Sequence, residues 1–257
     1  MIQQKSKWPL FRVYFILAAI LFSGQLVQGQ TQLKQNIDLK NTKSLEAELQ
    51  INAGTFKLTT QDPPQVNASF SYTRASWKPD VNFNQGTGAL TIKQPEEKNT
   101  SMQDKDQNNW DIKLPRNLST NLKFRMGAGQ GTVNLSGAKL NNLEVEAGAG
   151  EFNVNVANTS VANLKVNAGV GALTLNLGGN RTQNLKADIA GGIGDLTLVL
   201  PRTAGVRVKV SGLGSVESDG LRKKGDYYVN DAYGKSAQSL DITVSAGLGS
   251  IKMELEK

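Results

Sequence analysis

Glu151 and Asp195 are the residues most open to a catalytic reading. Each directly follows a Gly-x-Gly triplet, in GAGE and GIGD. If the triplets stack as equivalent turns, Glu151, Ala172 and Asp195 form one column. The two carboxylates are then two strand spacings apart, about 9.6 Å at about 4.8 Å each. That is near the upper limit of about 9.5 Å for the acid and base of an inverting glycosidase. Ala172 lies between them, however, and no Lys or Arg aligns beside them. Nothing then pushes the two pKa values apart, as acid–base catalysis requires. The chain also has no histidine and no cysteine. Those absences remove the usual nucleophile–base dyads, the usual zinc ligands, a disulfide framework and a lipoprotein acylation site. No catalytic, cofactor-binding or metal-binding residue is assigned, and the chain reads as a non-enzyme.

Three other constellations admit a chemical reading. Gly191-Gly192-Ile193-Gly194-Asp195 is similar to a calcium-binding nonapeptide repeat, but the Asp is one place early and the period is wrong. The Gly-x-Gly triplets could be phosphate loops only if each led into a helix; each leads into a strand pattern instead. Glu96, Glu97, Asp104 and Asp106 are clustered, yet Lys98 and Lys105 sit among them. Residues 94–109 read as a solvated loop. The stretch with most binding potential is 217–239, where Arg222, Lys223 and Lys224 lie near Tyr227, Tyr228 and Tyr233. Basic residues beside aromatics suit a glycan or an anionic polymer. The competing reading is that the tyrosines cover an open end of the fold, where edge pairing must be blocked.

The elements that would position these residues are repeats. Val145–Val156 (VEAGAGEFNVNV) returns as Val166–Leu177 (VNAGVGALTLNL). Further copies are Phe83–Ile92, Phe124–Leu135, Ile189–Leu198, Val208–Val216 and Val244–Met253, with a degenerate first copy at Ile51–Leu58. The second glycine recurs at Gly129, Gly150, Gly171, Gly194 and Gly214, a period near 21 residues. That is the size of one solenoid unit. Within a copy the period is two, the mark of a strand with one face on a core. Leu143, Val145 and Ala147 share one parity; Phe152, Val154 and Val156 share the other. The glycines are therefore corners that turn the chain while keeping one set inward, a task suited to a residue without Cβ. The copy at 206–216 breaks this parity, and 217–239 interrupts the spacing. The expected fold is all-β: a parallel β-helix of roughly 21-residue rungs with Gly-x-Gly corners. Phe152, Val154, Leu173, Leu175, Leu196 and Leu198 are its expected inward ladders.

The 257-residue chain opens with a secretory pattern. Lys5, Lys7 and Arg12 precede the apolar run Val13–Phe22, and Val27-Gln28-Gly29 offers a cleavage site. The apolar run falls short of the roughly 20 residues of a comfortable span, so no stable membrane span is expected after cleavage. Retention as an anchor is the alternative. Cleavage lowers the net charge from +7 to +4, with 26 basic against 22 acidic residues. That charge is spread thinly, whereas nucleic-acid binding needs a basic stripe. The expected organisation is a signal peptide over 1–29, a polar tether or loose first strand over 30–44, and the repeat domain over 45–257.

With these motifs in view, the chain resembles the toast-rack family of bacterial envelope proteins, related to the C-terminal domain of LiaF-type cell-wall-active antibiotic response proteins. The likeness rests on the serial corners MGAGQG and EAGAGEF, on Trp110-Asp111-Ile112-Lys113-Leu114-Pro115, and on Leu200-Pro201 with Gly205-Val206-Arg207-Val208 just beyond. It includes Tyr228-Val229-Asn230-Asp231-Ala232-Tyr233-Gly234 and the closing Ser245–Ile251, and spans roughly 45–257. A looser likeness is to adhesin-type β-helix domains. The resemblance implies a parallel β-helix, an envelope location and no catalytic residues. The expected function is an exported, non-enzymatic scaffold or binding module in the periplasm or at the cell surface, without cofactor. Its expected partner is a cell-wall glycan or an envelope protein. A membrane-anchored envelope-stress regulator and a carbohydrate-active β-helix enzyme are the alternatives.

Overall fold

The computed structural model describes residues 29–96 and 103–257. Residues 1–28 of the signal segment therefore lie outside the described residues, as do Glu97 and Lys98. The described residues are nearly all β, with one short 3-10 turn among them at Ala75–Trp77. The strands are β1 (Thr31–Asp38), β2 (Ser44–Gln61), β3 (Gln65–Tyr72), β4 (Asp80–Asn84), β5 (Ala89–Lys93), β6 (Asn108–Pro115) and β7 (Ser119–Asn134). Next come β8 (Leu140–Asn155), β9 (Asn163–Asn176), β10 (Leu185–Leu200), β11 (Gly205–Asp219), β12 (Arg222–Lys224), β13 (Tyr227–Val229) and β14 (Ser239–Leu255). They form one long, mostly parallel sheet in the order β1-β3-β6-β2-β7-β8-β9-β10-β14-β11-β13-β12, with β5 and β4 on the flank of β2.

Connection length dictates the shape. β7 and β8 are 16-residue parallel strands joined by residues 135–139 alone. Sixteen extended residues span about 53 Å, whereas so short a connection reaches about 20 Å. Each long strand must therefore double back at its middle, so that its end returns near its start. Glycine makes the bend: Gly129, Gly150, Gly171, Gly194 and Gly249 have φ between +120° and +148°. Burial changes parity there. Leu143, Val145 and Ala147 are buried before the corner of β8; Phe152 and Val154 are buried after it. The core lies between the two arms. Phe152 pairs in register with Leu173, which pairs with Leu196. These three, with Val154, Leu175 and Leu198, are buried as inward ladders.

Two of the repeat copies behave differently. Phe83–Ile92 is not a corner but an antiparallel hairpin, β4–β5, with Phe83 opposite Leu90. Its turn is closed by the Gly88 N–H on the Asn84 carbonyl at 2.8 Å and by Thr87 N–H on Asn84 Oδ1 at 3.2 Å. Gly88 has φ +71°, the ordinary left-handed region, unlike the corner glycines. By its place in the chain, the copy Val208–Val216 should stack on Ile189–Leu198. Instead β14 inserts between β10 and β11, parallel to both. β11 thus stands at the end of the stack, and its arm after the corner is exposed. A terminal arm has no core to face, which accounts for the broken parity of this copy.

Both ends carry covers. Residues 30–44, expected as a tether or a loose first strand, contain β1, paired antiparallel to β3. β3 in turn covers β6, and Phe70 meets Trp110 edge-on at 5.0 Å. Buried Gln94 and Asn108 close the first corner. Asn108 Nδ2 donates to Gln94 Oε1 at 2.9 Å and to the Ala53 carbonyl at 2.8 Å, and Trp110 Nε1 donates to Asn108 Oδ1 at 3.0 Å. Asp106, expected in a solvated loop, instead pairs with Arg74 and accepts the Gln103 N–H at 2.8 Å.

Candidate binding groove

The outward face of the arms before the corner is concave. A groove of ≈ 670 Å³ crosses β5, β2, β7, β8, β9 and β10. Strand register turns residues far apart in sequence into columns. One column is Glu46, Asn121, Asn142, Asn163 and Lys186. Its amides donate in series: Asn163 Nδ2 to Asn142 Oδ1 at 2.8 Å, Asn142 Nδ2 to Asn121 Oδ1 at 2.8 Å, and Asn121 Nδ2 to Glu46 Oε1 at 2.6 Å. The next column, Glu48, Lys123, Glu144, Lys165 and Asp188, alternates in sign at every strand. Opposite charges directly across a strand pair are the favourable arrangement.

The charges at the centre of the groove are paired. Lys123 Nζ lies 3.0 Å from Glu144 and 3.3 Å from Glu146; Lys165 lies 3.5 Å from Glu144. Arg125 reaches Glu146 at 2.8 Å and Glu48 at 3.3 Å, and Lys93 reaches Glu48 at 2.8 Å. The hydrogen bond to Glu144 holds the Lys123 pKa above its ordinary value. The same bond, from the other side, holds the Glu144 carboxyl below the usual carboxylate range. Both shifts fix the charged forms, the opposite of what a general acid needs. The groove is lined by four acidic and four basic side chains and by no aromatic ring. It is a neutral, rigid surface rich in hydrogen-bonding groups.

The binding residues suggested by the sequence fall elsewhere. Arg222, Lys223 and Lys224 form β12, and Tyr227 and Tyr228 belong to β13, in a hairpin laid on β11 at the end of the stack. Arg222 pairs with Asp231. Tyr227 receives the Arg207 guanidinium on its ring at 4.8 Å, while Arg207 also pairs with Asp241, which raises its pKa. Tyr228 packs against the core, with Lys223 Nζ 5.9 Å from its ring centre. Tyr233 is half-buried beside Gly205. Buried Asn230 pins the hairpin: its Oδ1 accepts the Val206 N–H at 2.9 Å, and its Nδ2 donates to the carbonyls of Ala204 at 2.8 Å and Pro201 at 3.1 Å. The three tyrosines are thus not gathered on one face, and the basic side chains of β12 remain exposed.

Glu151, Ala172 and Asp195 do align as one column. Both carboxylates are exposed, and Asp195 accepts the Ser250 hydroxyl at 2.6 Å. In the sequence, Glu144, Glu146 and Lys165 are simply outward positions of the repeat. Their charge alternation exists only once the strands are placed in register.

No curated protein sequence matches this one. Similar solved structures include a candidate cell adhesion protein from Clostridium sporogenes, 25% identical, with TM-score 0.69, covering 89% of this chain and 100% of that one. A candidate adhesin from Bacteroides fragilis is 10% identical with TM-score 0.34, covering 87% of this chain and 97% of that one. The family model described as the N-terminal domain of toast_rack, DUF2154, matches residues 27–163 and 153–199, well over half of the chain. With stacked glycine corners running through the matched region, the chain belongs to the toast-rack family.

Proposed function

We propose that this chain is an exported, non-enzymatic protein of the cell envelope, a scaffold that binds through the groove before the corner. The carrying observation is the neutral, self-paired lining of that groove. A surface of matched charges and amide ladders suits a broad, wet contact with a neutral hydroxylated polymer. It offers little to a strongly anionic one. A cell-wall glycan is therefore the first partner, and an envelope protein the second. The likeness to a candidate cell adhesion protein over all of that protein's length supports surface contact as the mode of action. Rungs of roughly 21 residues are supported by the spacing of Asn121, Asn142 and Asn163. The hairpin with Arg222, Lys223, Lys224, Tyr227, Tyr228 and Tyr233 is the secondary surface, its exposed lysines favouring an anionic chain.

The test is retention of the purified protein on insoluble peptidoglycan and neutral polysaccharides. Wild type is expected to be retained, and Asn121, Asn142 and Asn163 changed together to Ala are expected to weaken retention while the β-sheet circular dichroism spectrum at the assay temperature is kept. Absence of retention on every glycan would overturn the glycan reading. Product release that stops in Glu151→Gln or Asp195→Asn would overturn the non-enzymatic one. Export is read by N-terminal sequencing from the envelope fraction. Gln30 is expected first; an intact Met1–Gly29 segment would instead indicate a retained anchor.

A further inference from the structure

The residue between the corner glycines points outward, and its size changes along the stack. In register the outer positions run Ala128, Ala149, Val170, Ile193, Leu248 and Leu213. On the inner side of the same corner the register runs Met126, Ala147, Ala168, Gly191 and Ala246. Where Val170, Ile193 and Leu248 add apolar volume outside, the inner side holds only Ala and Gly. Folding alone would place it the other way round. The four large outer residues are 56%, 57%, 57% and 76% exposed.

These residues form a ridge of four aliphatic side chains spanning three strand spacings, about 14 Å. Glycines on either side make it the most protruding line of the corner. The flanking columns are short: Asn167, Ala190, Ser245 and Ser211 on one side, Ala172, Asp195, Ser250 and Ser215 on the other. They hold one acidic group and no basic one.

Three kinds of occupant can be compared. The cleft behind the ridge is ≈ 30 Å³, far below the roughly 300 Å³ of a small-molecule site. A stable protein partner, including a second copy, buries about 800 Å² per side. A row one side chain wide and about 14 Å long supplies only a small part of that. Hydrocarbon requires no shape complementarity, and short flanks let the ridge sink without long charged side chains holding it off. The lack of Lys and Arg beside it, and the presence of Asp195, exclude a need for anionic headgroups. We propose that the corner ridge Val170–Ile193–Leu248–Leu213 inserts into the hydrocarbon boundary of a zwitterionic lipid surface.

The absence of cysteine allows single-site labelling. Leu248→Cys and Thr174→Cys each receive a polarity-sensitive fluorophore, the second reporting from the flat of an arm. Both carry residues 1–29, so membrane contact by that segment is common to the two. With phosphatidylcholine vesicles, the label at 248 is expected to shift to the blue and to be quenched by acyl-chain-brominated lipid. The label at 174 is expected to stay in water. Adding phosphatidylglycerol is expected not to strengthen the signal. Changing Ile193 and Leu213 to Ser should raise the lipid needed for the half-maximal shift by about tenfold or more, with an unchanged melting temperature. A label at 248 that stays in water while the protein sediments with vesicles would overturn the proposal, as would no sedimentation at all. Self-association without lipid that the two serine changes abolish would assign the ridge to a second copy instead.

Discussion

Gly171 tests the stacking directly. It turns the corner of β9 at φ +130°. A Cβ built there would overlap the carbonyl oxygen of Gly150 and lie 2.9 Å from its carbon, where ordinary contact begins at 3.4 Å. These are backbone atoms of the neighbouring strand, held by ladders on both sides, so no side-chain rotation relieves the overlap. Gly171→Ala carries two costs. The positive φ costs about 1–3 kcal/mol for a residue with a Cβ. Separating β8 from β9 at the corner sacrifices about two ladder hydrogen bonds at about 1 kcal/mol each. The stiffer unfolded chain returns about 0.4–1 kcal/mol. The net loss is about 3 kcal/mol, read from urea midpoints at neutral pH with the slope unchanged. Two comparators separate the causes. Gly225 has φ +59° but open space around its Cβ, so Gly225→Ala should cost only about 1 kcal/mol, the backbone part. At Gly131 a Cβ would meet a ring atom of Phe152 at 2.7 Å, and that ring can tilt, so the cost should stay below about 2 kcal/mol. A loss under about 1 kcal/mol at Gly171, or an equal loss at Gly225, would refute backbone stacking as the reason for the corner glycines.

Phe152→Ala is expected to cost about 3–5 kcal/mol, because the ring is 4% exposed in the core. Exposed Asn153→Ala should cost under about 0.5 kcal/mol; equal losses in denaturant melts would show that the inward and outward parities are misassigned. Asp106 has its pKa held below the ordinary value, chiefly by Arg74 and then by the Gln103 N–H. A carboxyl lowered in the fold stabilises above its unfolded pKa of about 3.9 and loses that contribution as pH falls through the folded value. Asp106→Asn should therefore flatten the acid side of a stability–pH curve while lowering stability at neutral pH. Arg181 is buried, which lowers its pKa to about 10; one nitrogen donates to the Val161 carbonyl at 2.6 Å, and Nε and Nη1 have no partner. A base depressed in the fold destabilises wherever it is charged, below about pH 10 here. Arg181→Met should raise stability by about 1–2 kcal/mol at neutral pH, and a loss of that size would show that the guanidinium is satisfied.

The arms were legible because alternation is a local property: two neighbours of Val154 suffice to place it. The corners were legible as glycines but not as geometry. Gly86-Thr87-Gly88 and Gly148-Ala149-Gly150 read alike, yet the first closes a hairpin at φ +71° and the second bends a strand at φ +138°. What closes the hairpin is Asn84, through its side chain and carbonyl, but an Asn at that place is no signal by itself, since Asn167 stands four places before the corner glycine Gly171. Stacking order was hidden for another reason. Gly212-Leu213-Gly214-Ser215 and Gly247-Leu248-Gly249-Ser250 are the same four residues, so local pattern cannot say which lies next to β10, although the positive φ falls at Gly212 in β11 and at Gly249 in β14. The polar run Glu217-Ser218-Asp219 carried the clue, since only an arm at the end of the stack can do without a buried face.

The groove was illegible because its order runs across strands rather than along them. Glu48, Lys123, Glu144, Lys165 and Asp188 are ordinary surface residues one at a time and alternate in sign only in register. Such a column also guards register. A slip of one strand relative to its neighbour by two residues keeps every apolar side chain inward, so the core alone barely opposes it. Slipping β8 by two residues one way would put Asn142 beside Lys123 and lose the charge pair, while the other way puts Glu146 there and keeps it; either slip takes each corner glycine off the carbonyl beneath it. The charges thus oppose a slip in one direction, and Gly150 and Gly171 oppose it in both. That explains how a face can be largely paired and still be open to solvent. Its order is already used in holding the stack, and a partner meets a preformed surface without having to organise it. The corner ridge differs in kind, because Ile193, Leu248 and Leu213 satisfy nothing within the chain. Changes to the amide ladder and changes to the ridge should therefore act on different ligands and be additive on stability.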